Sequence, residues 1–330
     1  MQDIARELGT SVVTVSNALN DRKGVSYDLR QIILKKADDL GYTLGSEKED
    51  GRKRILTFGV ICRSQYISEG SSFYWEMYQQ VAAQVAMRGN LTMLEIFRTD
   101  KEDCAMPALP RRKEVDGVIV IGRLGEKYIR QILKDTQGNM IMLDFPGHGY
   151  ECDAVLSANY SGMYRATRYL TQRGHKRIGF VGTIRTSRNV MDRFYGFLRC
   201  MREEALPVRE EWLLEDRDVL TEQGRVFLPE ELPSAFVCSS DYSAGLLYDE
   251  LCRHGLRVPE DISVIGYDDY LYGNALARML TSYHVDMEKM ASRAVDLLQK
   301  RILGQRTETD IFYVDSHIVE RKSVRQADQA

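Results

Sequence analysis

Residues 3–20 read DIARELGTSVVTVSNALN, and this stretch determines the fold predicted for the N-terminal part of the chain. Apolar residues recur at helical spacing until Gly9, a residue at which helices commonly end. Thr10 or Ser11 suits the cap of a second helix. The apolar positions are Ile4, Ala5 and Leu8 in the first helix and Val12, Val15 and Leu19 in the second. A helix, a glycine turn and a helix that starts at Ser or Thr form the helix-turn-helix pattern, although an ordinary helical hairpin stays open at this point.

A third helix is predicted to run from a cap at Ser26 to Gly41. Three short helices bury little apolar surface, so residues 1–45 are predicted to be a small all-α domain. Residues 46–54, SEKEDGRKR, are rich in charge and are predicted to be a linker.

After residue 54, short apolar runs alternate with amphipathic helical stretches. The runs are residues 55–61, 91–97, 116–122, 140–145, 177–182, 234–240 and 262–268, and the helical stretches are residues 73–88, 125–137, 161–173, 192–205, 243–254 and 287–303. This alternation is typical of parallel sheets covered by helices on both faces. Because one sheet would have too many strands, residues 55–330 are predicted to form an α/β core of two lobes.

The composition of the 330-residue chain is that of an ordinary globular protein, with 44% hydrophobic and 28% charged residues. No apolar run approaches the ~20 residues that cross a bilayer, and the first residues are polar, so we expect a cytoplasmic protein. A net charge of −3 argues against nucleic-acid binding through bulk charge. The six cysteines show no zinc-binding spacing and are predicted to be buried thiols.

Residues 3–42 resemble the DNA-binding head of the lactose-repressor (LacI/GalR) family, whose pattern is DIA…GVS…TVS..LN…VS..TR..I…A..LGY. The matching positions are Asp3, Ile4, Ala5, Gly9, Ser11, Thr14, Val15, Ser16, Leu19, Asn20, Val25, Ser26, Arg30, Ile33, Ala37, Leu40, Gly41 and Tyr42.

The resemblance continues to the C-terminus. It is carried by NYSGMYRATRYLTQRGHKRIGFVG (159–182), DRFYGF (192–197), RVPEDISVIGYDD (257–269), LTSYHVDMEKMASRAVDLLQKRI (280–302) and VERKSV (319–324). It implies a homodimeric, effector-responsive transcription regulator whose core resembles the type I periplasmic sugar-binding proteins. The chain would cross three times between a first lobe, about 55–155 and 283–305, and a second lobe, about 156–282 and 306–330.

The family pattern also implies which residues contact operator DNA. The recognition helix would start near Ser11, with Val12, Val13 and Asn17 at base-reading positions. The other predicted DNA contacts or turn supports are Thr14, Ser16, Asn20, Ser26 and Tyr42, and phosphate attraction is assigned to Arg22, Lys23 and Arg30. Paired valines imply apolar contacts with thymine methyls. The partner would be a palindromic double-stranded operator read by a dimer.

Two features depart from the family. The residues after Tyr42, TLGSEKEDGRKR, carry glycines and acids where the family has a hinge helix that enters the minor groove. Asp3 is preceded by only two residues, so the segment before the first helix is short. Both departures weaken the prediction of tight operator binding without changing the family.

The same resemblance implies an effector cleft between the lobes, where a guanidinium and carboxylates bind neighbouring hydroxyls of a small molecule. The candidate ligand residues are Phe73, Tyr74, Arg193, Asp218, Ser240, Asp241 and Asp268. Val219 stands where many sugar-binding members place a stacking aromatic residue. A carbohydrate effector is predicted, with no cofactor and no metal.

Three alternatives remain at this stage. An enzyme is disfavoured because GxGxxG, GxxxxGK[ST], GxSxG and HExxH are all missing from the sequence. A free sugar-binding protein would not need the helical head. A ligand-sensing relative with degenerate DNA binding stays open because of the altered linker.

Overall fold

Three helices form where the periodicity of the first 40 residues predicts them. In this computed structural model, which describes residues 2–19, 24–39, 54–64, 72–98, 106–145, 149–218, 223–270 and 275–327, they are α1 (Gln2–Glu7), α2 (Val12–Leu19) and α3 (Tyr27–Asp39). Gly9 turns the chain between the first two with a φ of +59°, and the Ser11 Oγ accepts a hydrogen bond of 2.9 Å from the Thr14 N–H. The predicted glycine turn is confirmed, and of the two candidate cap residues Ser11 makes the capping hydrogen bond.

The three helices share a small apolar core. Its buried members are Ile4, Ala5, Val15, Ala18, Ile33 and Ala37. Lys36 of α3 pairs with Glu7 of α1 at 2.5 Å, but both side chains are partly exposed and the pair adds little stability. Apolar packing therefore holds the head together.

The chain divides into two compact units, Met1–Ile55 with Gln299–Thr307 and Leu56–Leu298 with Glu308–Ala330. The second unit contains two six-stranded sheets. The strands of the first sheet, in spatial order, are β11 (Ile311–Val314), β5 (Asp153–Ser157), β4 (Met140–Leu143), β3 (Gly117–Ile121), β1 (Thr57–Arg63) and β2 (Leu91–Phe97). All its pairings are parallel.

The second sheet repeats this plan with one exception. Its order is β12 (Ile318–Val319), β10 (Thr281–His284), β9 (Ser263–Asp268), β8 (Ala235–Cys238), β6 (Ile178–Val181) and β7 (Leu213–Leu214). Only the β10–β12 pairing is antiparallel. The predicted α/β core of two mainly parallel sheets is thus confirmed.

One boundary needs correction. The predicted second lobe includes residues 306–330, but Ile311 pairs with Ala154 and Val314 with Ser157, which places β11 in the first sheet. This four-residue edge strand is half-exposed and has no long apolar run, so its partner could not be read locally. The other domain limits stay predictions, and residues 46–53 of the linker lie outside the described residues.

Helices connect the strands. They are α4 (Phe73–Met87), α5 (Glu126–Asp135), α6 (Asn159–Thr171), α7 (Arg188–Glu203), α8 (Asp241–Arg253) and α9 (Met287–Ile302). The pair α6 and α7 is in backbone contact, since a Cβ on Gly196 would lie 2.2 Å from the Tyr160 carbonyl oxygen. This close approach brings the middle of α7 against the first turn of α6.

The remaining predictions concern cysteines and membrane segments. Of the described cysteines, Cys62, Cys152, Cys200 and Cys238 are buried free thiols, as predicted, whereas Cys252 is exposed. Along the described part of the chain, each helix is too short or too polar to span a bilayer.

Candidate functional site

The N-terminal end of α2 presents apolar side chains to solvent. Val12 is 42% and Val13 67% exposed, whereas Val15 on the opposite side is fully buried. Asn17, one turn further along, is half-buried. Two adjacent valines are thus exposed at the start of the helix to which the family resemblance assigns DNA reading, so this end of α2 is a candidate binding face.

The other predicted DNA contacts lie around this face or outside the described residues. Ser11 is exposed and shares a 2.8 Å hydrogen bond with the Thr14 hydroxyl, while Ser16 is half-buried. Ser26 caps α3, its Oγ accepting from the Leu29 N–H at 3.4 Å. Asn20, Arg22, Lys23 and Tyr42 fall outside the described residues.

In the core, one guanidinium joins the strand ends of the second sheet to α6. Arg193, 5% exposed on α7, donates from Nε to Asn159 Oδ1 at 2.8 Å. Its Nη1 donates to the Ser239 carbonyl at 2.6 Å and to Asp268 Oδ1 at 3.2 Å. The guanidinium also lies 3.8 Å from the centroid of the Tyr267 ring. Arg193 and Asp268, both predicted, therefore meet at one buried site.

The first sheet adds a carboxylate that sequence reasoning missed. Asp144, directly after β4 and 3% exposed, accepts a 3.2 Å hydrogen bond from the Tyr74 hydroxyl through Oδ2. The Asn189 side-chain amide on α7 donates to the Asp144 carbonyl at 2.9 Å. Groups from both sheets thus converge, and the predicted Tyr74 takes part through its hydroxyl.

Phe73 closes the site on its apolar side. Its ring is nearly buried and packs edge-on against Tyr74 at 5.3 Å and Tyr270 at 6.2 Å. Because Phe73 begins α4 beside the first sheet and Tyr270 follows β9 of the second, this contact bridges the two lobes.

Burial shifts the protonation of both carboxyls. Loss of solvent raises the pKa of Asp268 to about 7 and that of Asp144 to about 6, although the positive charge of Arg193 opposes both rises. Burial disfavours the charge on Arg193, but Asp268 and the other anionic neighbours outweigh it and raise the pKa of Arg193. Arg193 therefore stays positively charged, and both carboxyls interact with this one positive charge.

Three polar atoms in this cluster are buried without a hydrogen-bond partner: Asp144 Oδ1, Asn189 Oδ1 and Asn159 Nδ2. The amide orientations are fixed by the partners, since Asn159 must accept from Arg193 and Asn189 must donate to a carbonyl. A buried polar atom left unsatisfied costs ~1–3 kcal/mol. Such atoms indicate a site built to contact a polar molecule.

Two further predicted ligand residues, Ser240 and Asp241, form hydrogen bonds within the protein. The Ser240 Oγ caps α8, accepting from the Ser243 N–H at 3.0 Å. Asp241 is 3% exposed, and its carboxylate accepts from the Tyr270 N–H at 2.9 Å and the Ser282 hydroxyl at 2.6 Å. Both oxygens of Asp241 therefore have hydrogen-bond partners that hold β9 and β10, and its role as a ligand contact stays a prediction.

Asp218 lies apart from the buried cluster. It is exposed, and its N–H donates to the Gln223 carbonyl at 3.0 Å. Val219 falls outside the described residues. A role for Asp218 in ligand binding stays a prediction.

Four members of the cluster were missed: Asp144, Asn159, Asn189 and Tyr267. Asp144 lies within the predicted run of residues 140–145, directly after β4, and Asn189 lies four residues before Arg193, one helical turn away. Strand ends and helix starts at the same edge of a parallel sheet are the usual place for a ligand, and that rule could have found both.

Two family models match the chain. The model of bacterial regulatory proteins of the lacI family covers residues 1–43, and the periplasmic binding protein-like domain covers residues 167–324. The chain belongs to the LacI/GalR family. This LacI-family chain is a transcriptional regulator that joins a helix-turn-helix head to a periplasmic binding protein-like core.

Relatives and solved structures agree with this assignment. The transcriptional repressor PurR of Pectobacterium carotovorum subsp. carotovorum is 28% identical over 98% of this chain and 96% of its own length. PurR of Pasteurella multocida is 25% identical, with 98% of each chain covered. These relatives are regulators, not enzymes.

Two solved structures share the fold. The CelR–cellobiose complex is 22% identical with a TM-score of 0.68, covering 97% of this chain and 98% of that one. The lac repressor dimer, bound to operator and the anti-inducer ONPF, is 19% identical with a TM-score of 0.67, covering 98% of both chains.

The buried carboxyls predict how stability depends on pH. The folded pKa values of Asp268 and Asp144 lie above the unfolded value of about 3.9, so the folded protein holds protons that the unfolded chain releases. Stability should therefore fall as pH rises from about 4 through 7. The Asp268→Asn variant lacks one of these titrating groups. From pH 5 to pH 8 its free energy of unfolding should therefore fall by on the order of 2 kcal/mol less than that of the wild type.

Urea unfolding followed by tryptophan fluorescence at four pH values measures this difference. His284, whose pKa its hydrogen bond with Asp269 raises, also favours the folded state at low pH, but it is common to both proteins. An Asp249→Asn variant, changed at an exposed position of α8, serves as control. Parallel pH curves for wild type and Asp268→Asn would contradict the assignment.

Proposed function

We propose that this regulator reads a palindromic operator with the N-terminal end of α2 and that a small hydroxylated molecule, a carbohydrate, controls its operator affinity from the cleft at Arg193. The observation that carries the proposal is the buried cluster of Arg193, Asp268 and Asp144, which takes groups from both lobes. The exposed valines of α2 support the DNA-reading part.

The chemistry of α2 favours base contacts over charge attraction. Val12 and Val13 offer methyl groups that fit the methyl of thymine, and Asn17 can form paired hydrogen bonds with adenine. With no charged residue in α2, its readout depends on shape and on these contacts.

A homodimer is supported by one edge of the first sheet. The strand β2 is the last strand of its sheet and exposes Leu91 and Ile96, and Met87 is exposed at the nearby end of α4. An apolar edge strand invites pairing with a second copy. A two-fold dimer would place two heads on half-sites ~34–36 Å apart.

The cleft suits a ligand with neighbouring hydroxyls. A guanidinium and a carboxylate can hold such hydroxyls with charge-assisted hydrogen bonds, and the unpaired atoms of Asp144, Asn189 and Asn159 can complete them. Phe73 and Tyr74 supply the apolar wall against which a sugar ring packs.

Ligand control is expected because the site takes residues from both lobes. A molecule that contacts Asp144 in the first lobe and Arg193 in the second binds the closed arrangement more tightly than an open one. Because closure of the lobes would change the spacing of the two heads in the dimer, this difference in ligand affinity would change the free energy of operator binding by ~1–3 kcal/mol.

Replacing Asn17 tests the DNA-reading surface. Asn17→Ala should reduce discrimination between the operator and a scrambled duplex by ~1–3 kcal/mol, because the paired contact with a base is lost. Fluorescence anisotropy on the DNA upstream of the chain's own gene, against a scrambled duplex of equal length, measures the ratio.

Glu7→Gln, at the exposed ion pair of the head, is the control and should leave the ratio unchanged. An unchanged ratio in Asn17→Ala would remove Asn17 from base reading. Equal, weak binding of wild type to both duplexes would instead favour the ligand-sensing relative with degenerate DNA binding.

Replacing Arg193 tests the cleft. In a thermal-shift screen of mono- and disaccharides, Arg193→Ala should abolish the stabilisation that any sugar gives the wild type, because the central donor is gone. Arg199→Ala, two turns further along α7 on its exposed side, should retain the full shift. Equal stabilisation of wild type and Arg193→Ala would place the sugar elsewhere.

A further inference from the structure

The cleft contains more buried negative than positive charge. Arg193 faces Asp268 at 3.2 Å and is within electrostatic reach of Asp144, so two carboxyls share one guanidinium. Burial and the neighbouring Asp268 raise the pKa of Asp241 well above its usual value. Arg123, which follows β3, is exposed and donates to the Thr186 carbonyl at 3.2 Å. When Asp144 and Asp268 are both ionised, they and Arg193 together carry one more negative than positive charge.

Other nearby acids have cations of their own. Asp269 pairs with Arg321 at 2.7 Å and with His284 at 3.1 Å, and Asp216 pairs with Arg217 at 2.9 Å. The imbalance is thus confined to the carboxyls around Arg193.

The buried atoms without a hydrogen-bond partner also favour a ligand that donates hydrogen bonds. Two of the three are acceptors, Asp144 Oδ1 and Asn189 Oδ1, and the Asn189 amide contacts the Asp144 backbone. Neighbouring acceptors suit a group that donates several hydrogen bonds, and an ammonium group donates three and carries charge. Burial raises the pKa of both carboxyls, and the charge of Asp144 adds to the rise at Asp268.

We propose that the effector is an amine-bearing polyol, such as an amino sugar, whose ammonium group lies between Asp144 and Asn189, and that the cleft rejects anionic sugars. This inference rests on the proposed effector cleft. A carboxylate or phosphate on the ligand would add a like charge to a site that already has an excess, which like-charge repulsion disfavours. A neutral sugar would satisfy hydrogen bonds but leave the charge uncompensated.

Three matched series of probes test the proposal by thermal shift and calorimetry at pH 7. They are glucosamine, glucose and glucuronate; galactosamine, galactose and galacturonate; and glucamine, glucitol and gluconate. In a series that binds, the amine should bind at least about tenfold more tightly than the acid, with the neutral member between them, because a hydrogen bond to a charged group exceeds a neutral one.

Variants assign the preference to one residue. Asp144→Asn keeps the size of the side chain but removes its charge, so the amine should lose about tenfold in affinity and its advantage over the neutral member should disappear. Asp249→Asn, an exposed position on α8, should change neither.

An acid that binds as tightly as its amine, or an absence of stabilisation by every amine of the panel, would overturn the proposal. If a neutral or acidic sugar then binds the wild type but not Arg193→Ala, the proposed cleft stands and the preference for an amine is refuted. A sugar shift that survives Arg193→Ala would instead refute the cleft.

Discussion

The buried guanidinium of Arg193 is the interaction on which the organisation of the core depends. It binds the start of α6 through Asn159, the end of β8 through Ser239 and the end of β9 through Asp268. A charge removed from water is tolerated only with full pairing, and here Arg193 is also covered by an aromatic ring. Whatever enters the cleft must therefore interact with a site that is already charged and ordered.

The backbone packing of α6 and α7 makes this arrangement possible. Gly196 lets the two helices touch, and Gly162 lets the stacked rings of Tyr267 and Tyr283 lie against α6. A side chain at either glycine would meet atoms within 3 Å and displace its neighbours. Because Arg193 lies on α7, its position depends on this close packing. Asp268 is held in a positive-φ conformation, with φ of +118°, which is strained for a non-glycine residue and persists only where the surrounding contacts enforce it.

Much of the fold could be predicted from the sequence because its signals are local. Helix periodicity and the glycine turn identified α1 to α3, and the apolar runs identified β1 to β4, β6, β8 and β9, whereas the inner strands β5 and β10 were missed. The short edge strands could not be found in this way, and β11 was placed in the wrong lobe, because pairing partners of an edge strand depend on the whole sheet. The resemblance to the family identified Arg193 and Asp268.

The rest of the site depends on contacts between distant segments. Asp144 and Asn189 are 45 residues apart in sequence and meet only when the two lobes are assembled. The carboxylate of Asp241 likewise accepts from the Ser282 hydroxyl and from the Tyr270 backbone, which lie 41 and 29 residues away in sequence. Such partners cannot be found from the residue type alone.

The most direct test of the account is operator affinity, measured by fluorescence anisotropy for wild type and Arg193→Lys, with and without a sugar that stabilises the wild type. Lysine keeps the charge but cannot reproduce the forked hydrogen bonds. The sugar should change the wild-type Kd by about fivefold or more and leave that of the variant unchanged. An equal ligand-induced change in both proteins would contradict it.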